Sequence, residues 1–217
     1  MSDHDDFAVE PIRGLPERPP VGEEILWQGH PATYALLRDA YKLHWIAFYF
    51  VIVVLWRGTV AWGDGGAMKA LAIGIPYAVL GVCSLGLLWL VAFAQARTAV
   101  YTLTTARVVM RIGAALPVTF NFPFAQVTAA HLAQRRDGTG TIALELTSQR
   151  RMGYLTLWPH VRPGYLRSPQ PAMRCIPEAA AVARMLAEAA ETRMARPVIS
   201  RREDVSAASA TAEVAAG

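Results

Sequence analysis

Over 217 residues the chain carries 21 lysines and arginines against 17 aspartates and glutamates, a net charge of +4, with 53% hydrophobic and only 18% charged residues. Roughly a quarter of an ordinary soluble domain is charged. Here the apolar excess lies between residues 43 and 96, which argues against a soluble enzyme and for a membrane protein with a soluble part. The two cysteines, Cys83 and Cys175, suggest neither a disulfide framework nor a metal site by spacing, and they fit a reducing, cytoplasmic setting.

Residues 1–22 are acidic and proline-rich and are expected to be disordered or loosely draped, with no apolar core that a signal peptide would need. "EILWQGHP" at 24–31 reads as a first strand, and residues 23–33 as the opening of the soluble domain. In 34–45, Tyr34, Leu37, Tyr41 and Trp45 recur at helical spacing. The stripe suits either an interfacial helix or a plain extension of the first span.

Residues 34–96 are read as that helix plus a transmembrane hairpin, with spans at about 43–62 and 70–93, since a bilayer core takes about 20 apolar residues as helix. Arg57 would cost on the order of 3 kcal/mol at mid-span. Between Trp56 and Trp62, near the far end, it reads as a snorkelling interface residue, with a functional ion pair as the other reading. The glycine-rich "GDGGAMK" at 63–69 forms the turn. Arg38, Lys42, Arg97, Arg107 and Arg111 outnumber Lys69 and Arg57, so both termini are expected in the cytoplasm. Gly74, Gly81, Ser84 and Gly86 let the spans approach each other or a partner's helix.

After residue 97 the pattern changes to alternation. Val108, Met110 and Ile112 face one way in "RVVMRI", and Arg107 and Arg111 the other. "PVTFNF", "TIALEL" and "GYLTLW" repeat the pattern, Asp137-Gly138 marks a hairpin turn, and further strands are expected at 99–104 and 126–132. A helix from about Pro177, striped by Val182, Met185, Leu186 and Ala189, closes a soluble domain of residues 97–196, and 197–217 is expected to be a disordered tail. The fold class is thus α+β: a two-helix transmembrane hairpin inserted into a small β-barrel or sandwich capped by a C-terminal helix.

"VYTLTTARVVMRIG" and "EEILWQGHP" resemble the bacterial pleckstrin-homology-like domains, in which two spans are commonly inserted after the first strand. "GEEILWQGHP", "RTAVYTLTTARVVMRIGAALPVTFNFPF", "YLTLWPHVRP" and "AMRCIPEAAAVARML" together resemble the photosynthetic complex assembly protein family (PuhB) of purple bacteria, over residues 22–190. That resemblance implies a non-enzymatic assembly factor in the inner (intracytoplasmic) membrane, with reaction-centre and core light-harvesting antenna subunits as partners. The other reading is a lipid-sensing or stress-related module with no photosynthetic client.

No catalytic, metal or cofactor-binding constellation stands out. His4, His30, His44, His131 and His160 lack metal-ligand spacing, and there is no phosphate loop or nucleophile elbow. Residues 97–196 hold thirteen arginines against five acids. This basic domain would face anionic lipids or an acidic partner, or it is simply a solvated surface. A nucleic-acid partner does not fit, since no aromatics interleave with a basic stripe; a homo-oligomer remains compatible. The candidate partner-binding residues are Trp158, His160, Arg162 and Tyr165 in "TLWPHVRPGYLRSP", with Arg107 and Arg111; the loop's other reading is a rigid proline turn.

Overall fold

In a computed structural model that describes residues 12–114, 116–147 and 152–195, a long helical hairpin rises from a two-sheet domain closed by a helix. The elements are β1 (Ile25–Gly29), α1 (Thr33–Asp39), α2 (Leu43–Thr98), β2 (Val100–Thr104), β3 (Arg107–Ile112), β4 (Val118–Pro123), a 3-10 turn (Phe124–Gln126), β5 (Val127–Gln134), β6 (Gly140–Leu146), α3 (Tyr154–Leu157), β7 (Ala172–Ile176) and α4 (Ala179–Ala195). The expectations for residues 1–11 and 197–217 lie outside the described residues.

α1 and α2 are separated by Lys42, whose backbone is left-handed, at φ 54°. α2 runs for 56 residues and leaves helical geometry only at Gly65 and Gly66. Gly66 takes φ 70° with ψ −165°, a conformation that favours glycine because it carries no Cβ. There the chain folds back. Gly74 faces Val54, and an added Cβ at Gly81 would stand 3.0 Å from Phe50 Cβ, so a glycine at 81 lets the two arms touch. The expected turn at 63–69 is therefore mostly helix. Gly74 and Gly81 sit at the contact between arms, while Gly86 faces open space and the Ser84 hydroxyl bonds back to Leu80 O. Most large apolar side chains of α2 point outward, among them Trp45, Leu55, Trp56, Trp62, Leu71, Leu87 and Trp89. By length and composition the helix is long and apolar enough to cross a membrane.

The strands form two antiparallel sheets, ordered β1-β2-β3-β4 and β5-β6-β7, and among the described residues they do not close into a barrel. Between them lies one apolar core. Val108, Met110 and Ile112 supply it from β3, Phe122 from β4, Ile142 and Leu144 from β6, Met173 and Ile176 from β7, and Val182 and Leu186 from α4. Burying each such side chain contributes about 1.5–3 kcal/mol, so the alternation visible in β3 and β6 is what specifies the sheets.

Four further elements differ from their expectation. "GYLTLW" forms one helical turn, α3, which leaves Leu155 86% exposed and Leu157 enclosed. The stripe of 34–45 is not one helix lying on a surface: α1 buries Leu36 and Leu37, and the chain breaks before Trp45. Residues 12–22 do not drape loosely. Leu15 is buried, the Arg13 guanidinium donates to Arg97 O at 2.8 Å, and Arg13 O accepts from Gln28. β7 has no counterpart among the expected strands.

Candidate functional site: the joint between helix and domain

α1, the base of α2 and β7 share a second apolar cluster, built from Ala35, Leu36, Leu37, Tyr41, Ala92, Ala96 and Cys175. The start of α1 is tied to the sheet by the Ala32 N–H, which donates to Cys175 O at 2.8 Å. The end of α1 carries Arg38 and Asp39 to the β5–β6 turn. Asp39 accepts from Arg38 Nε at 3.1 Å and Arg135 Nε at 2.5 Å, and Arg38 Nη2 donates to Asp137 at 2.9 Å. Asp137 also accepts from the Thr139 hydroxyl and backbone N–H, and these bonds together with Arg38 lower its pKa to about 2. The Asp137-Gly138 turn therefore does two jobs: it closes the hairpin and it receives α1. Burial pushes the Cys175 thiol up to about 12, so it stays protonated and behaves as a small core residue.

The segment after α3 packs on the same joint. The Trp158 ring meets Tyr41 edge-on at 5.0 Å. His160 is fully enclosed, with Nδ1 2.5 Å from the Tyr101 hydroxyl. That hydroxyl also accepts from the Arg174 N–H at 3.4 Å, so Tyr101 links His160 to β7. Burial, reinforced by the Arg174 charge, lowers the His160 pKa to about 3, and burial raises that of Tyr101. Arg174 Nη1 donates to Pro159 O at 3.2 Å. His160 Nε2, Arg174 Nε and the Tyr41 hydroxyl are buried without a hydrogen-bond partner among the described residues.

The structure distributes the six candidate contact residues unequally. Trp158 packs against Tyr41 and remains 38% exposed. His160 presents nothing to a partner; it supports the loop from inside. Arg162 is held by Gln170 Oε1 at 2.9 Å and lies 4.3 Å over the Tyr165 ring, so the two form a stacked pair with Tyr165 39% exposed. Arg107 and Arg111 belong to β3 of the four-stranded sheet, away from that segment in the topology. Arg107 grips Glu23 with two bonds, at 2.7 and 2.8 Å. Burial alone would raise the Glu23 pKa, but the bonds from Arg107 and Thr104 outweigh it and lower it. Sequence reasoning missed Tyr41, Asp39, Tyr101 and Arg174. Their only local signals are a tyrosine just before an apolar run and an arginine inside an apolar pentapeptide.

Among the described residues no three histidine, cysteine, aspartate or glutamate side chains gather as metal ligands. His131 pairs with Glu145 across β5 and β6 at 3.0 Å, both exposed. What the arrangement provides is mechanical: a domain fixed to an apolar helical hairpin through a buried, ion-paired joint.

Two sheets closed by a C-terminal helix define the class, and the bacterial PH domain family matches residues 45–190. The chain belongs to that family. It is also 47% identical over 215 residues to a Rhodobacter capsulatus protein described as an uncharacterized 23.7 kDa protein in the puhA 5′ region, covering 98% of this chain and 100% of the relative. No solved structure matches the chain.

Proposed function

We propose that the protein is a membrane-anchored assembly factor of the photosynthetic complex assembly (PuhB) type, acting on the reaction centre and core antenna by contact rather than catalysis. The two arms of α2 cross the intracytoplasmic membrane as a hairpin, with both termini and the PH-like domain on the cytoplasmic side. The first arm, from Leu43 to the Gly65–Gly66 break, has about the 30 Å length of a bilayer core, and the basic residues Arg38, Lys42 and Arg97 flank its open end. The outward apolar side chains of the arms would meet lipid and client spans. Trp158 and the Arg162–Tyr165 pair would meet client surfaces outside the bilayer, being residue types that anchor interfaces.

The observation that carries the photosynthetic part of this reading is the relative in the puhA 5′ region. The joint supports action by contact, because it packs the base of the hairpin against the domain. The test is affinity purification of the tagged, full-length protein from mild-detergent extracts of photosynthetically grown cells. Reaction-centre and core-antenna polypeptides should co-purify, and less of them with Trp158→Ala or Arg162→Ala at equal protein level. Their absence from the wild-type preparation would contradict the proposal.

A further inference from the structure

Arg57 is the only lysine, arginine or carboxylate from Leu43 to Gly63 and from Ala70 to Ala96, the two apolar arms of α2. It stands eight residues before Gly65, about 12 Å from the bend at 1.5 Å per residue. Its guanidinium lies 5.7 Å from the centre of the Tyr77 ring. Tyr77 stands eleven residues beyond Gly66, about 16 Å from the bend. The contacts of Phe50 with Gly81 and of Val54 with Gly74 fix this register between the arms. The Arg57 side chain therefore leans away from the bend, in the sense expected on a helix, whose side chains tilt toward its N-terminus. In a bilayer core of about 30 Å, that holds the guanidinium near mid-depth, whereas a snorkelling arginine reaches for the nearer surface.

At that depth the chain offers no counter-charge. Arg57 Nε is buried without a hydrogen-bond partner among the described residues, and the face of Tyr77 attracts a cation without carrying net charge. Asp64, the one carboxylate between residues 43 and 98, lies at the bend and pairs with Lys69 at 3.9 Å. A second copy of the hairpin would bring no carboxylate to this level either. Lipid phosphates lie at the membrane surface, away from which the side chain turns. Arg57 nevertheless remains partly exposed, and one turn along from Arg57 and from Tyr77 the apolar side chains of Val60 and Leu80 point outward. A cation in hydrocarbon is costly unless it is paired. The partner that fits it best is an anion carried at the same depth by another helix.

We propose that Arg57 is the contact point for a partner protein's transmembrane helix that carries a glutamate or aspartate near the middle of its span. The inference rests on the proposed membrane crossing of the hairpin, but not on which complex the partner belongs to.

The experiment uses the full-length protein, dye-labelled at exposed Cys83, in phosphatidylcholine vesicles at pH 8. Energy transfer is read to synthetic, acceptor-labelled helices of about 20 leucines and alanines whose central residue is glutamate, leucine or lysine. The glutamate helix should associate roughly tenfold more tightly than the leucine helix, and the lysine helix more weakly than either. Arg57→Leu should bring the glutamate helix down to the level of the leucine helix, and Arg57→Glu should make the lysine helix the preferred one. Circular dichroism checks that each variant is folded. Equal association of the glutamate and leucine helices with the wild type, or a glutamate preference that survives Arg57→Leu, would overturn the proposal. So would a preference erased by adding phosphatidylglycerol, which makes lipid phosphate the counter-ion, or a dimer abolished by Arg57→Leu without any glutamate preference, which assigns the site to a second copy. The crossing itself is read separately. In Cys83→Ser/Met68→Cys, the new thiol at the bend should be shielded from a water-soluble maleimide added on the domain side until the vesicles are opened. Labelling from the domain side would remove the crossing and this proposal together; shielding without a glutamate preference would overturn this proposal alone.

Discussion

The joint around α1 and the N-terminal strap over β3 both attach a segment to the domain, yet the joint encloses a cluster of side chains where the strap encloses few. At the joint, Leu36, Cys175, His160 and Tyr101 are enclosed, and their partners come from elements far apart in the chain. Along the strap, the attachment is one buried leucine, Leu15, an exposed bond from Arg13, and the partly exposed Arg107 holding the largely enclosed Glu23. Enclosed contacts hold because breaking them leaves cavities or unpaired polar groups, whereas surface ion pairs exchange with water at little cost. The domain is therefore fixed to the helical hairpin more firmly than the strap is fixed to the domain.

The sharpest way to break this contrast is Leu36→Ala. Leu36 is fully buried between α1, the base of α2 and β7, and its truncation should cost about 2–5 kcal/mol. Thermal unfolding of the domain in detergent should show a large drop, together with new protease sensitivity around 40–43. A change below about 1 kcal/mol would mean that the joint is not packed as described.

His160 sharpens the contrast through pH. Its folded pKa, about 3, lies below the ordinary histidine value of 6.5, so between these the unfolded chain binds the extra proton. Stability is then full above about pH 6.5 and falls as pH drops, by at most about 1.4 kcal/mol per pH unit. Measured between pH 5 and 6.5, before the depressed carboxylates Glu23 and Asp137 contribute, the slope should be present in the wild type and absent in His160→Gln. An identical slope in both proteins would place that imidazole in water.

The smallest effect belongs to the strap. Arg107→Ala should cost about 1 kcal/mol, shrinking at high salt, because the Arg107 side chain is partly exposed while the Glu23 carboxylate it holds is largely enclosed. A loss comparable to Leu36→Ala would erase the distinction between the two attachments.

Sequence patterning reached the strands whose two faces differ. Val108, Met110 and Ile112 share the face of β3 that meets the core, opposite Arg107 and Arg111, although Val109 on that other face is also buried; Ile142 and Leu144 do the same in β6, with buried Ala143 opposite. β7 has both faces covered, so "AMRCI" shows no alternation, and Arg174 at its centre hides its apolar character. Leu155 and Leu157 mimic a strand because two residues two apart fit either period over so short a stretch. The joint was out of reach for a different reason. Asp39 finds Arg135, and Tyr101 finds His160, across separations of 96 and 59 residues that no local pattern records. The aromatic and basic character of the 158–165 segment was visible, but not that its histidine faces inward.

The central claim is that this protein promotes assembly of the photosynthetic core by contact. Its most direct test is near-infrared absorbance of membranes from a strain lacking the gene, complemented either with the wild type or with the joint variant Asp39→Ala/Tyr41→Ala at matched abundance. The account predicts a reduced reaction-centre and core-antenna signal in the deletion, restoration by the wild type, and incomplete restoration by the joint variant. A normal signal in the deletion strain would contradict it.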